Sequence, residues 1–426
     1  MFLTGLQCHV CKTKFPAEAL FVCDQCFGPL EPTYDYTRIA EVVSRSIIEA
    51  RPHNLWRYRE LLPIAGEPLT GFHSGFTPLV RADRLAARLG VAELYVKDDG
   101  VNHPTMSYKD RVVSVAATRA VELGFTTFGC ASTGNLANSV SAHAARLGLD
   151  CYVFIPDNLE AGKVAGSAIY HPRVLAIRGN YDDVNRLCTQ VADRYGWGFA
   201  NINLRSYYAE GAKTYGFEIV EQLGWRFPRH VVSPVAGGTL LPRIARGFRE
   251  LREVGLAVGD LPRVHAAQAA GCAPVVRALF AGLDHPDPVR PDTIAKSIAI
   301  GNPADGFQVL EVVRATGGWG AMVSDEEILD GIGLLAECEG IFTEPAGGTT
   351  VAATRKLVEE GVIPRDESIV VCVTGNGYKT LEAVQGRTAT PVPLGRSLKE
   401  FEDFLAASRE AAVRPGRLPT PGPIRA

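Results

Sequence analysis

The chain has 426 residues, of which 46% are hydrophobic and 21% charged, with a net charge of −3. Such a composition predicts a soluble globular protein with an ample core and room for two or three domains. It carries no long Lys/Arg run, which argues against a nucleic-acid or membrane-surface partner. No stretch approaches the roughly 18 unbroken apolar residues of a spanning helix. The start, Met1 to Leu6, lacks the basic flank and the length of a signal peptide, so the expected compartment is the cytoplasm.

Residues 1–31 read as a unit of their own. Cys8-x2-Cys11 and Cys23-x2-Cys26 form two knuckles that can present four thiolates tetrahedrally to zinc. Gly28 follows the second knuckle, where a tight turn is common. Basic and aromatic neighbours are too few for a nucleic-acid reader, so the ribbon reads as structural. The other six cysteines stand in apolar surroundings, as buried thiols do.

Residues 32–75 read as a helical lead-in that becomes irregular toward Pro63–Gly75, with helical spacing in Leu55–Leu62. Arg81–Leu89 predicts a helix closed by Gly90. From residue 91 strands and helices alternate. Strands are expected at 93–97, 126–131, 151–155, 174–177 and 199–202, with helices over 136–147, 160–168 and 181–195. A second series follows: a helix over 207–223, a strand at 230–235, a helix from Leu240, and strands at 264–268 and 368–373. This is the pattern of parallel sheets covered by helices on both faces. The proline-rich end, Ala412–Ala426, reads as loosely attached or disordered.

Four loops carry chemistry. Ser107 with Asp110 three residues on suggests a capping box and puts Lys109 in the first helical turn. A cation is disfavoured there, so the amine is expected to work neutral, as a nucleophile or a base. Ala236-Gly237-Gly238-Thr239 between strand and helix is a phosphate cradle, or a plain tight turn. Ser132-Thr133-Gly134-Asn135 is a turn rich in donors that could hold a carboxylate, or simply cap a helix. Thr374-Gly375-Asn376-Gly377 ends a strand with one hydroxyl among glycines. Together these parts suit pyridoxal phosphate: an amine for its aldehyde, a cradle for its phosphate and a hydroxyl for its ring nitrogen.

These segments, with Trp56–Pro63, Thr77-Pro78-Leu79, Pro104–Arg111, Glu210-Gly211-Ala212-Lys213-Thr214, Ile300-Gly301-Asn302-Pro303 and Gly340–Ala346, resemble the threonine synthase family in order and spacing. The likeness spans roughly residues 55–380, and the cysteine knuckles resemble the amino-terminal ribbon of longer members. The resemblance implies an α/β chain of fold type II, like the tryptophan synthase β subunit, with two doubly wound parallel-sheet domains. The expected division is a zinc-ribbon-like segment at 1–31 and a lead-in at 32–75. A large cofactor-binding domain would follow at 76–125 and 216–400, with a small mobile domain at 126–215 and a C-terminal helix and tail at 401–426.

The resemblance also implies roles. Lys109 would hold pyridoxal 5'-phosphate as a Schiff base and shuttle protons. Asn135 would contact the ring oxygen, Gly237, Gly238 and Thr239 the cofactor phosphate, and Thr374 the ring nitrogen. Ser107, Ser132 and Thr133 would meet the substrate, and Arg205 and Lys213 are the cations nearest its phosphate. Structural zinc would sit on Cys8, Cys11, Cys23 and Cys26. The implied reaction turns O-phosphohomoserine and water into threonine and phosphate, in a homodimer. Alternatives are a sister enzyme working at the β carbon, such as cysteate synthase or an ammonia-lyase, and a non-catalytic ligand-binding module. The chain departs from the family's usual Gly-Ser-Phe-Lys, having Met106-Ser107-Tyr108-Lys109.

Overall fold

The computed structural model describes residues 2–132, 134–157, 165–179, 181–389 and 391–412. The chain divides into two compact units, Met1–Ala383 and Val384–Ala426. In the second, the helix Leu398–Ala412 starts where Ser397 Oγ accepts from Glu400 N at 3.1 Å. The proline-rich end beyond Ala412 lies outside the described residues.

The first unit opens on an antiparallel ribbon. β1 (Leu3–Cys8) lies between β2 (Lys14–Phe15) and β3 (Leu30–Tyr34). The lead-in then forms two short helices, Tyr36–Val42 and Arg45–Glu49, and a 3-10 turn at Leu55–Leu61.

Next come β4 (Leu79–Arg81), the helix Asp83–Leu89 and β5 (Glu93–Asp98). The helix ends as expected at Gly90, whose φ of 68° is a left-handed cap that glycine adopts without strain. After the helix Lys109–Glu122 the chain leaves this sheet and builds another from β6 (Thr127–Ala131), β7 (Asp150–Pro156), β8 (Arg173–Ile177) and β9 (Gly198–Phe199). All its pairs are parallel, in the order β8-β7-β6-β9. The helix expected over 160–168 is seen at Ala165–Ala168; residues 158–164 lie outside the described residues.

The chain then returns to the first sheet with β10 (His230–Pro234), β11 (Arg263–Ala269), β12 (Gly320–Val323) and β13 (Ser368–Val373). The order is β12-β11-β10-β13-β5-β4, and only the edge strand β4 runs antiparallel. Ile369 to Val373 are fully buried, as an unbroken apolar strand inside a parallel sheet must be. The expected helix 207–223 is two helices, Arg205–Gly211 and Lys213–Gln222, breaking at Ala212. Helices at Pro274–Ala281, Gly306–Ala315, Asp325–Glu339 and Pro345–Glu359 complete the unit.

This topology decides where a site can lie. β10, β13 and β5 are adjacent and parallel, so the loops leaving their carboxyl ends converge. Those loops are Val235–Thr239, Thr374–Gly377 and Asp99–Tyr108.

Candidate active site

Lys109 opens the helix Lys109–Glu122, as the sequence suggests, but the capping box does not form. Tyr108 is the N-cap and makes no side-chain cap bond. The Asp110 carboxylate turns back instead, accepting from Thr105 N at 2.9 Å and Thr105 Oγ1 at 2.7 Å. Burial lifts the Asp110 pKa to about 6 against those bonds. The Ser107 hydroxyl, which the box required, is buried without a partner.

The strand-like run 106–108 is stitched to the loop after β13. Tyr108 N donates to Thr374 O at 2.9 Å, Asn376 N donates to Met106 O at 3.1 Å, and Ser107 bridges Gly375. Lys109 and Thr374 are thereby held on neighbouring segments. Met106 takes part with φ of 60°, a conformation L-residues rarely adopt. Met106→Gly should therefore raise stability by about 0.5–1 kcal/mol, the relieved strain outweighing the added unfolded-state freedom. A urea titration checks this, and an unchanged or lower midpoint would refute it.

Lys109 Nζ donates to Tyr108 Oη at 2.6 Å and Tyr208 Oη at 2.7 Å. Burial opposes its charge, but the two phenol oxygens more than offset that and hold the pKa above the ordinary lysine value. The helix start is therefore not the only influence on the proton: the two tyrosine oxygens favour the charged amine. The amine must shed that proton, and exchange those bonds, before it can act as a nucleophile.

Opposite stands Asn135, first residue of the helix Asn135–Leu147. Its Nδ2 donates to Glu344 Oε2 at 3.0 Å and Oε1 at 3.3 Å. Glu344 is buried, and desolvation raises its pKa despite Asn135 and the nearby Lys379 and Lys109 charges. Its backbone N donates to Gly375 O at 3.1 Å, and a Cβ on Gly375 would sit 2.6 Å from its carboxylate. A side chain at 375 would therefore push the Glu344 carboxylate aside. Lys379, whose Nζ donates to Thr105 O at 2.6 Å, lies in the fields of Glu344 and Asp110. Ser132 N donates to Phe154 O at 3.2 Å on the same strand-to-helix turn, and Thr133 lies outside the described residues.

The glycine loop follows β10 and leads into the helix Leu240–Glu253. Gly238 has φ of 94°, and a Cβ there would come within 2.7 Å of the Asp305 backbone. Thr239 Oγ1 donates to Asp305 Oδ2 at 2.9 Å, and Arg205 Nη2 pairs with Asp305 Oδ1 at 2.7 Å. Arg205 thus meets the glycine loop through Asp305. Backbone N–H groups at a helix start, with a hydroxyl and a cation close by, fit a phosphate.

Lys213 does not join this site. Its Nζ is fully buried and satisfied by Glu210 at 2.6 Å, Glu250 at 2.9 Å and Leu61 O at 2.9 Å. It is a structural cation, and assigning it to the substrate is corrected here. Sequence reasoning missed Glu344, Asp305 and Lys379 as members of the site, although each stands in or beside a segment that had drawn attention.

Beneath the site, Arg111 is fully buried. It donates from Nε and Nη2 to Asp99 at 2.6 and 2.8 Å, and from Nη2 to Glu218 at 2.8 Å. Lys97 Nζ also donates to Glu218, at 2.7 Å. These bonds tie the helix carrying Lys109 to the sheet and to the helix Lys213–Gln222.

At the amino end the four expected cysteine sulfurs all lie within 4.8 Å of one another. Cys8 Sγ is 3.4 Å from Cys26 Sγ, and Cys11 Sγ is 3.5 Å from Cys23 Sγ. Backbone N–H groups of Cys11 and Gln25 point at Cys8 Sγ and Cys23 Sγ. Four soft donors this close, with amides turned toward sulfur, could hold a soft metal ion.

Known proteins resemble this chain along most of its length. Residues 71–375 match the family model described as pyridoxal-phosphate dependent enzyme. The threonine synthase of Methanocaldococcus jannaschii is 38% identical over 402 residues, covering 94% of this chain and 98% of that protein. The threonine synthase of Methanosarcina acetivorans is 38% identical, covering 89% of this chain and 93% of that protein. Among solved structures, the processed form of threonine deaminase isoform 2 from Solanum lycopersicum aligns with a TM-score of 0.61 at 20% identity, covering 74% of this chain and 88% of that one. Maize serine racemase aligns with a TM-score of 0.60 at 19% identity, covering 79% and 94%. These two likenesses speak for the fold alone.

Proposed function

This chain belongs to the pyridoxal-phosphate-dependent enzyme family, and we propose that it is a lyase with the threonine synthase reaction, converting O-phosphohomoserine and water to L-threonine and phosphate. The observation that carries the reading is the 38% identity to a threonine synthase across 94% of the chain, with Lys109 at the meeting of the three loops. When bound, the cofactor supplies an electron sink for a carbanion at the substrate α carbon.

The chain's own residues supply the rest. Lys109 Nζ would carry the cofactor and, once released from it, take the α proton and then a β proton. Gly237, Gly238 and Thr239 would hold the cofactor phosphate, Asn135 the ring oxygen and Thr374 the ring nitrogen. Glu344, through Asn135, would orient that amide. Ser107, Ser132 and Thr133 are offered for the substrate carboxylate. Lys379 is the cation we assign to the side of the site where phosphate leaves the γ carbon, before water adds at the β carbon, while Arg205 stands beside the glycine loop through Asp305. A mobile small domain over 126–215, closing on the bound substrate, would keep bulk water from that step.

The assay is phosphate release. Given O-phosphohomoserine, the purified enzyme should release phosphate and form threonine in equal amounts. No release there, with turnover of O-phosphoserine, would assign it to a β-carbon sister activity.

We also infer structural zinc on Cys8, Cys11, Cys23 and Cys26, a cytoplasmic location and a homodimer. For the metal, elemental analysis should find about one zinc per chain, lost in Cys23→Ser together with thermal stability. A metal-free wild type of unchanged melting temperature would count against it. No helix among the described residues is long and apolar enough to cross a membrane.

A further inference from the structure

Residues 17–20, between the two cysteine knuckles, present three main-chain carbonyls to the helices that carry the site. Ala17 O accepts from Arg119 Nη2 at 2.7 Å, Glu18 O from Tyr207 Oη at 2.6 Å and Leu20 O from Ser206 Oγ at 3.0 Å. Arg119 also lies over the Tyr207 ring, 5.0 Å from its centre. The loop is itself tied to the ribbon, since Leu30 N of β3 donates to Phe21 O at 3.0 Å.

The donors belong to two helices. Arg119 is on Lys109–Glu122, and Ser206 and Tyr207 are buried on Arg205–Gly211. Residues three apart share a helix face, so 205 and 208 stand together while 206 and 207 turn elsewhere. Tyr208 Oη accepts from Lys109 Nζ at 2.7 Å, and Arg205 pairs with Asp305 beside the glycine loop at 2.7 Å. One short helix thus holds the ribbon with one pair of residues and the site with the other. At Gly211 it meets the Lys109 helix backbone to backbone, for a Cβ there would lie 2.5 Å from Arg111 O. A slip of about 1 Å would carry the Tyr208 oxygen out of hydrogen-bond range of Nζ. The same slip would leave the Ser206 and Tyr207 hydroxyls unmet in a buried place, which opposes it.

We propose that Ser206 and Tyr207 are positioning residues: clamped to the carbonyls of residues 17–20, they fix the helix Arg205–Gly211 so that Tyr208 meets Lys109 and Arg205 meets Asp305. The clamp is built by the loop between the knuckles and not by their sulfurs. Its service to catalysis rests on the proposed function; the clamp itself stands on the geometry alone.

The test follows the Lys109 amine directly. Full-length protein freed of cofactor is treated with trace acetic anhydride at fixed pH, and acetylation of each lysine is read by peptide mass spectrometry. Lys97, fully buried and bonded to Glu218, reacts only when the fold opens, so it gauges general loosening. Lys109 should react several-fold faster in the double variant Ser206→Ala/Tyr207→Phe than in the wild type, with Lys97 unchanged. A Tyr208 oxygen that has slipped neither covers the amine nor holds its proton, and Tyr208→Phe sets the size of the full effect. Tyr36→Phe removes a bond of the same kind, to Glu250 at 2.8 Å, off that helix, and should leave Lys109 labelling as in the wild type. Unchanged Lys109 labelling in the double variant, a rise matched by Lys97, or an equal rise in Tyr36→Phe overturns the clamp. In the cofactor-loaded enzyme the double variant should lose kcat several-fold with KM for O-phosphohomoserine little moved, and Tyr36→Phe should lose neither. Faster labelling with an unchanged kcat overturns the service to catalysis and leaves the clamp established. A wild type that takes up no cofactor and releases no phosphate, yet shows the variant-sensitive labelling, counts against the proposed function and not against the clamp.

Discussion

Replacing Lys109 by Ala should abolish the long-wavelength absorbance of the cofactor-loaded protein and cut phosphate release by at least about 10³-fold. Two jobs fall on one amine, cofactor attachment and proton transfer at two carbons, so no neighbour can take over both. The two tyrosines on its Nζ supply the control. Tyr208→Phe removes one acceptor at 2.7 Å and leaves Tyr108 at 2.6 Å in place. That variant should keep the absorbance band and lose far less activity. If Lys109→Ala kept both the band and the rate, the site described above would be the wrong one. If it lost the band but kept most of the rate, added amines would be the first suspects and a dialysed sample would decide.

Replacing Arg111 by Leu should cost about 3–5 kcal/mol of folding stability, the range for breaking a buried ion pair from one side. Asp99 and Glu218 would each lose a charged partner where water cannot replace it. The pH dependence separates this from simple loss of packing. Burial pushes the Glu218 pKa up, but Arg111 and Lys97 outweigh it and bring it to about 2, against an ordinary 4.5. A depressed carboxylate gives stability that is present above pH 4.5 and is lost as pH falls toward 2. Without Arg111 the Glu218 carboxyl prefers its proton. Acid should therefore weaken the wild type and relieve the variant, so the gap between them narrows as pH falls. Urea midpoints at pH 7 and pH 4 measure it, and a gap independent of pH would refute the ionic origin.

Much of this arrangement is legible in the sequence. β13 is an apolar run with a hydroxyl just past its end, and Gly90 and Gly148 stand where two helices close. Those are local signals, and they place each loop at the carboxyl end of a strand. The errors have one physical source. Spacing alone makes Asp110 a capping partner, yet Thr105, five residues back, offers it two donors. The spacing of Glu210 and Lys213 already offers one partner, but the burial of Lys213 and its second acid, Glu250, 37 residues on, come only with the fold. The proton on Lys109 depends on Tyr208, 99 residues away. Glu344 and Asp305 entered the site the same way, through contacts that no local pattern announces. Charge and protonation are properties of the assembled neighbourhood, whereas turns and strands are written residue by residue.

The ribbon raises a question of timing. Tyr34 Oη donates to Glu210, Ser206 Oγ to Leu20 O, and Tyr207 Oη to Glu18 O. The ribbon is synthesised before these partners, which come about 180 residues later. At roughly 5–20 residues per second the wait is on the order of 10–40 s. A segment this small buries too little to hold its shape alone for that time. Four sulfurs within 4.8 Å of one another would give it a way to wait if they take up the zinc proposed above. On that view the knuckles serve the birth of the protein more than its working life.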